Sequence, residues 1–184
     1  MDLSWRFDLW YRGLPKSPAD GGRVEAIVLR PPGGGSGARE RVESARMTPE
    51  GGLEGDRWSV DDARTGDDQV SLINVHVIGS LAGPDPDRRA LSGDNLQVDL
   101  DLGEDNLPPG TLLGIGSVEL EVSAQPHMPC RKFHERFGQA AVKKVLRANK
   151  TGKRGRGVIC LVRRAGEVRV GDTIQVVRPA SRER

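Results

Sequence analysis

The chain is poor in several things. Only two of its 184 residues are cysteine, Cys130 and Cys160. They stand apart without the paired spacing of a metal knuckle, and a chain of this length builds a core without covalent staples. A reduced, cytoplasmic protein is therefore expected in place of a disulfide-bonded secreted one. Aromatic residues make up 4% of the total and histidines number three. No apolar stretch approaches the roughly 20 residues needed to span a bilayer. Met1–Asp2–Leu3–Ser4–Trp5–Arg6 lacks the apolar run of a leader peptide. No membrane partner is expected. Charge of one sign is missing too: 28 basic and 26 acidic residues leave a net charge of +2. No global field calls for a nucleic acid partner.

What the chain does have is 24 glycines and 12 prolines. That profile suits many short strands joined by tight turns better than a helical bundle. Strand patterns fall at Val24–Leu29, Arg41–Met47, Gln69–Ile73, Leu96–Leu100, Leu112–Ile115, Val118–Val122, Val158–Val162 and Ile174–Val177. In Val118–Val122 the apolar residues alternate with Glu119 and Glu121, as in a half-buried strand, and Gly116–Ser117 reads as a two-residue hairpin turn. Asn74 reads as the N-cap of a short helix through Val75, Ile78 and Leu81. A second helical region follows Cys130 and breaks at Gly138. The expected fold is mainly β, a closed or nearly closed β-barrel carrying a few short helices, since closure removes exposed edges. Residues 1–22 read as an N-terminal extended arm and linker, 23–178 as the barrel, and 179–184 as a polar tail. In the arm, Trp5, Phe7 and Leu9 alternate with Arg6, Asp8 and Trp10, a two-residue period. Such an arm docks on its own barrel or permits a homodimer.

The chemistry concentrates in Gln125–Pro126–His127–Met128–Pro129–Cys130–Arg131–Lys132–Phe133–His134, which holds one cysteine and two of the histidines. The prolines bias the residues before them to extended geometry, which places Cys130 at or just before a helix start. A thiol there meets the positive end of the helix dipole together with Arg131 and Lys132. Both favour the thiolate, the form that attacks sulfur or binds a soft metal. The plainer reading is a small buried hydrophobe, the usual fate of a free cysteine. Cys160 lies in an apolar strand and reads as structural.

Other stretches are weighed in the same way. Gly51–Gly52–Leu53–Glu54–Gly55–Asp56–Arg57 permits positive φ and close approach to a ligand, with Asp56 and Arg57 on a short extended piece. A mere surface ion pair is the bland alternative, worth at most about 1 kcal/mol. Pro31–Pro32–Gly33–Gly34–Gly35–Ser36–Gly37 is a flexible loop, and without a closing Lys–Ser/Thr it is not a phosphate-binding P-loop. The loop Asn149–Gly157 carries Lys150, Lys153, Arg154 and Arg156. Such a run either holds an anion or is simply solvated. The acidic loop Asp61–Asp68 has no calcium-loop spacing. His76 reads as a surface or packing histidine.

Six motifs occur in a recognisable order: Gly52–Arg57, Gln69–Ile73, Gly93–Asp94–Asn95–Leu96, Gly110–Thr111–Leu112 with Gly116, Pro129–Phe133, and Arg156–Gly157–Val158 with Gly171–Asp172. Together they resemble the MOSC domain, named for the C-terminal domain of molybdenum cofactor sulfurase, over Val24 to Val177. The resemblance implies a MOSC-like β-barrel. It also implies a cysteine that carries sulfur as a persulfide or ligates the molybdenum of a bound pterin cofactor, and Cys130 stands in that position. Arg57, Lys132 and Arg156 occupy motif positions suited to the cofactor's phosphate. His127 is placed as a neighbouring donor or proton shuttle. Asn95 and Asp56 fix loop geometry within the site. No aminotransferase-like domain with a pyridoxal phosphate lysine accompanies the motifs. Pyridoxal phosphate is thus expected only in a partner sulfurase. Gln125–Pro126–His127–Met128 differs from the threonine- and proline-rich approach of the related reductases.

Three functions follow. One is a molybdenum-cofactor-binding protein that reduces N-hydroxylated small molecules with electrons from a donor protein. Another is a persulfide sulfur carrier served by a cysteine desulfurase. The third is a non-catalytic module for an anionic small molecule.

Overall fold

The computed structural model describes residues 5–62, 64 and 66–177. In chain order its strands are β1 (Gly22–Leu29), β2 (Glu40–Val42), β3 (Ser44–Thr48), β4 (Gly52–Leu53), β5 (Val70–Asn74), β6 (Leu96–Asp99), β7 (Leu112–Ile115), β8 (Val118–Val122), β9 (Val158–Arg164), β10 (Gly166–Arg169) and β11 (Thr173–Val177). The helices are α1 (Trp5–Arg12), α2 (Val75–Ala82), α3 (Pro86–Ala90) and α4 (Arg131–Lys150), with a 3-10 turn at Arg57–Val60.

Seven strands form a closed ring in the order β1, β6, β5, β9, β8, β7, β11, and β11 returns to β1 through Gly22↔Ile174 and Arg23↔Thr173. The barrel expectation therefore holds. β5 and β6 alone run parallel within the ring. A parallel pair needs a crossover, and α2 and α3 supply it. Asn74 caps α2 as its sequence suggests, accepting from the His76 and Val77 amides at 2.9 and 3.1 Å. The barrel interior is aliphatic, with Val24, Leu72, Leu96, Leu113, Leu120 and Val162 among its buried side chains. Cys160 belongs to the same core, and burial pushes its thiol pKa up to about 12, so it stays an inert thiol. β10, β3 and β4 make a small second sheet beside the ring.

α4 contains a break at Gly138, where φ is +80°. The break sends the first half, with Phe133 and Phe137, to one cluster, while Ala141 and Val145 on the second half complete it. The positive φ explains why a glycine stands there.

Residues 5–12 are a helix and not an extended arm. The two-residue alternation of Trp5, Phe7 and Leu9 is the wrong period. Phe7, Trp10, Tyr11 and Leu14 are the partly covered positions, a helical spacing, while Trp5 and Leu9 are exposed. The expectation of docking holds within this chain. Asp8 accepts two hydrogen bonds from Arg147 at 2.8 and 2.7 Å, and Trp10 Nε1 donates to Ser80 Oγ at 3.1 Å. The Lys144 ammonium lies 5.2 Å from the Trp10 ring centre. The tail 179–184, expected to be polar, lies outside the described residues.

Candidate functional site

The site grows from two adjacent buried carboxylates, Asp56 and Asp94. Gly55, at φ +83°, turns the chain after β4 so that Asp56 becomes the N-cap of the 3-10 turn, accepting from the Trp58 amide at 2.9 Å. The short extended piece expected for Asp56–Arg57 is thus a capped turn. Nor does Asp56 pair with Arg57. Its partner is Arg30, at the end of β1, which donates its amide at 2.9 Å and its Nη2 at 2.6 Å. Asn95 Nδ2 donates to the other side of the same carboxylate at 3.0 Å, while Asn95 Oδ1 accepts from the Ser71 amide at 3.1 Å. Burial alone would raise the Asp56 pKa. The Arg30 hydrogen bonds and charge, with the amides of Trp58 and Arg30, carry it below the usual carboxylate value instead. Asp56 and Asn95 thus tie three segments together, the loop-fixing role the motifs imply.

Asp94 is fully buried and its charge is taken by Arg156, whose Nη1 reaches both carboxylate oxygens at 2.7 and 2.6 Å. Arg156 Nη2 donates to the Ser92 carbonyl at 3.2 Å, and the guanidinium sits 4.8 Å from the centre of the Phe133 ring. A guanidinium so occupied is a strut between β9's entry, the Ser92–Asp94 turn and α4. Its expected role as an open phosphate ligand is corrected accordingly: only Nε remains without a partner.

His127 Nδ1 lies 3.6 Å from Asp94 Oδ1, and the side chain is 14% exposed. Burial drives its pKa down to about 3, helped by the charges of Arg156 and Arg30 and only partly opposed by Asp94. At neutral pH the ring is uncharged. A proton shuttle with an ordinary imidazole pKa is therefore not what this environment makes. Its backbone carbonyl is pinned by Asn149 Nδ2 at 2.9 Å.

Cys130 is exposed and is the N-cap of α4, as the prolines suggest, and its side chain caps no amide. Lys132, the second residue of the helix, is exposed as well. Among the described residues no hydrogen bond or ion pair links either side chain to Asp56 or Asp94. They share with the buried cluster the first half of α4, through Phe133 under Arg156.

A group of cations that no single motif announces completes the picture. Arg39, following the glycine loop, feels the charges of Arg136, Arg57 and Arg30, with Asp56 in opposition. Burial and these like charges bring its pKa down to about 10. Its Nε is buried without a partner. Arg136, on α4, donates to the carbonyls of Leu91 and Ser36, which straps the helix to that loop. Guanidinium groups converge in this way when a bound anion balances them. Arg57 lies near enough to Arg39 for its charge to be felt there. Arg30, Arg39, Arg136 and Asp94 were not visible as site residues, because their positions in the chain are scattered and only the fold gathers them. The basic loop Asn149–Gly157 is not an anion cradle of four cations. Arg154 donates to the Leu107 carbonyl at 2.6 Å, and Arg156 is held by Asp94. No cluster of three or more His, Cys, Asp or Glu side chains suited to a metal occurs among the described residues.

The geometry is a ring of seven strands with an exposed cysteine at a helix start and a group of neighbouring arginines. The family model for the MOSC domain matches residues 67–175, more than half of the chain, and the protein belongs to that family. Solved structures agree on the fold. The YuaD protein from Bacillus subtilis superimposes with a TM-score of 0.61 at 20% identity, covering 84% of this chain and 94% of that one. YiiM from Escherichia coli gives 0.57 at 24% identity, with 86% and 71% covered. YiiM from Geobacillus stearothermophilus gives 0.58 at 17%, with 88% and 77% covered. No curated protein matches the sequence significantly. The family is associated with the molybdenum cofactor in general. No helix among the described residues is long and apolar enough to cross a membrane.

Proposed function

We propose that this protein binds the molybdenum cofactor, with the Cys130 thiolate as the protein's ligand to the metal. The arginine basin of Arg39, Arg57 and Arg136 would take the cofactor's phosphate. The observation that carries the reading is the partnerless Arg39 Nε among guanidinium groups that repel one another. Such a group is costly until an anion enters. Lys132, exposed in the first turn of α4, would add a further cation. When bound, the cofactor supplies two-electron redox chemistry. The chain's own residues hold it, keep His127 neutral, and leave Cys130 open to solvent. The substrate class implied by the resemblance is N-hydroxylated small molecules. Their reduction breaks an N–O bond, takes up two electrons and two protons, and releases water. The electrons come from a donor protein.

The test is purification from a host that makes the cofactor and from one that does not, followed by metal and pterin analysis. Wild-type protein from the first host should carry both molybdenum and pterin. Cys130→Ala should lose the metal, and Arg39→Gln should retain less pterin. Wild-type protein free of both would overturn the reading.

The exposure of Cys130 favours a second reading, sulfur carriage. Its thiolate attacks the outer sulfur of a donor persulfide, the donor S–S bond breaks, and the donor thiolate leaves. The carried sulfur then appears as one added sulfur atom by mass spectrometry after incubation with a cysteine desulfurase, and not in Cys130→Ser. A reducing, cytoplasmic compartment suits both readings.

A further inference from the structure

A cleft of about 750 Å³ opens beside the His127 segment. One wall is the run Ser123–Met128, another is Leu146, Asn149 and Lys150 on α4, and the floor includes Val158 and Ile159. Pro108 and Pro109 close one end. Its size falls in the range of small-molecule sites, and its lining of prolines and aliphatic side chains with a few polar groups is their usual chemistry.

The walls are fixed in advance of any ligand. Asn149 holds two of them at once, donating to the His127 carbonyl at 2.9 Å and accepting from the Arg156 amide at 3.0 Å. Arg154 adopts φ +46°, unusual for a residue with a Cβ, and its Nη1 anchors the Pro108 turn through the Leu107 carbonyl. Strain of this kind persists where the surroundings over-determine it. Rim residues are nonetheless left bare. Met128 is 51% and Leu146 37% exposed, two large apolar side chains facing one opening.

Charge identifies the occupant. Two cations and one carboxylate border the cleft: Lys150, Arg154 and Glu104. Glu104 acts on Arg154, whose Nη1 is also taken by backbone, and this leaves the exposed Lys150 ammonium as the surplus positive charge. We infer that this cleft is a binding site for a flat, amphipathic aromatic molecule carrying one negative charge. Its ring system would lie between the proline walls and Leu146, with Met128 adapting over it. The anionic group would reach Lys150. Arg39, Arg57 and Arg136 do not line this cleft, and His127 turns its buried Nδ1 to Asp94.

Anilinonaphthalene sulfonate, an aromatic monoanion, is a suitable probe. Its fluorescence is titrated with the full chain, while thermal melts followed by circular dichroism confirm that each variant is folded. Wild-type protein should show one class of site, unaffected by excess inorganic phosphate. Leu146→Glu and Lys150→Met alter exposed rim positions, and each should weaken binding about tenfold or more. Leu9→Glu, an exposed apolar position on α1, should leave binding unchanged. Unaltered affinity in either rim variant, displacement of the probe by phosphate, or equal weakening by Leu9→Glu overturns the assignment.

Discussion

Mild acid should destabilise this protein through His127. In the unfolded chain the imidazole titrates near 6.5, and in the folded protein at about 3. Below pH 6.5 the unfolded chain takes up a proton that the native state refuses. Stability contributed by the neutral ring is thus complete above 6.5 and falls as the pH falls, until the native ring protonates as well. Each pH unit inside that window costs about 1.4 kcal/mol. Moving from pH 6.5 to about pH 5 therefore removes about 2 kcal/mol, a large share of the 5–15 kcal/mol typical of a domain. The cause is local. Asp94, the nearest carboxylate, is already neutralised by two short contacts from Arg156, and Arg156 and Arg30 both oppose an imidazolium. His127→Gln keeps a neutral polar side chain and removes the titration. Urea unfolding of both proteins, at neutral pH and at about pH 5, measures the difference. The wild type should lose about 2 kcal/mol more than the variant. Parallel losses in the two proteins would mean that Asp94 holds the native ring charged, and the account of the buried cluster would fail.

Other perturbations separate the structural from the chemical parts of the site. Asp56→Ala leaves the partly buried Arg30 without its partner and frees the Trp58 and Asn95 donors, so it should cost about 3 kcal/mol in urea unfolding. Gly157 has φ +95°, and a Cβ there would collide with the Leu72 carbonyl. Gly157→Ala should cost about 4 kcal/mol or more and yield little folded protein on expression. Inorganic phosphate should raise the melting temperature of the wild type by binding the native basin, and raise it less in Arg39→Gln. In its absence Arg39→Gln should melt no lower than the wild type, since three guanidinium groups oppose the charge it removes. Cys130→Ser, at an exposed cap that makes no side-chain hydrogen bond, should change stability by less than about 0.5 kcal/mol.

Much of the barrel was legible because its signals are local. The alternation of Val118, Leu120 and Val122 with two glutamates marks a half-buried strand, and Gly116–Ser117 marks its hairpin. Asn74 marks a helix start through its capping side chain, and Gly138 a helix break through its positive φ. The N-terminal helix was misread because eight residues hold too few turns to separate a period of two from one of 3.6. Its inward face, Phe7, Trp10, Tyr11 and Leu14, is set by α4 and the barrel. The same limit governs the site. Cys130 and the Asp56 turn stand in compact motifs, so their positions could be read. What neutralises what could not: Asp56 takes Arg30 and not its neighbour Arg57, and Arg156 is spent on Asp94. Such pairings depend on which strands lie side by side, and strand order is not written in any one segment.

Closure of the ring has a consequence for how the molecule comes into being. β1 leaves the ribosome among the first elements and its partner β11 among the last. Until β11 follows, Gly22 and Arg23 at the start of β1 lack their β11 partners, while β2 and β6 pair along the rest of the strand. Contacts between such distant segments also form slowly. Loss of β11 would uncover Gly22 and Arg23 of β1 and one edge of β7, and such a product should be caught by chaperones or aggregate without accumulating as a smaller folded species.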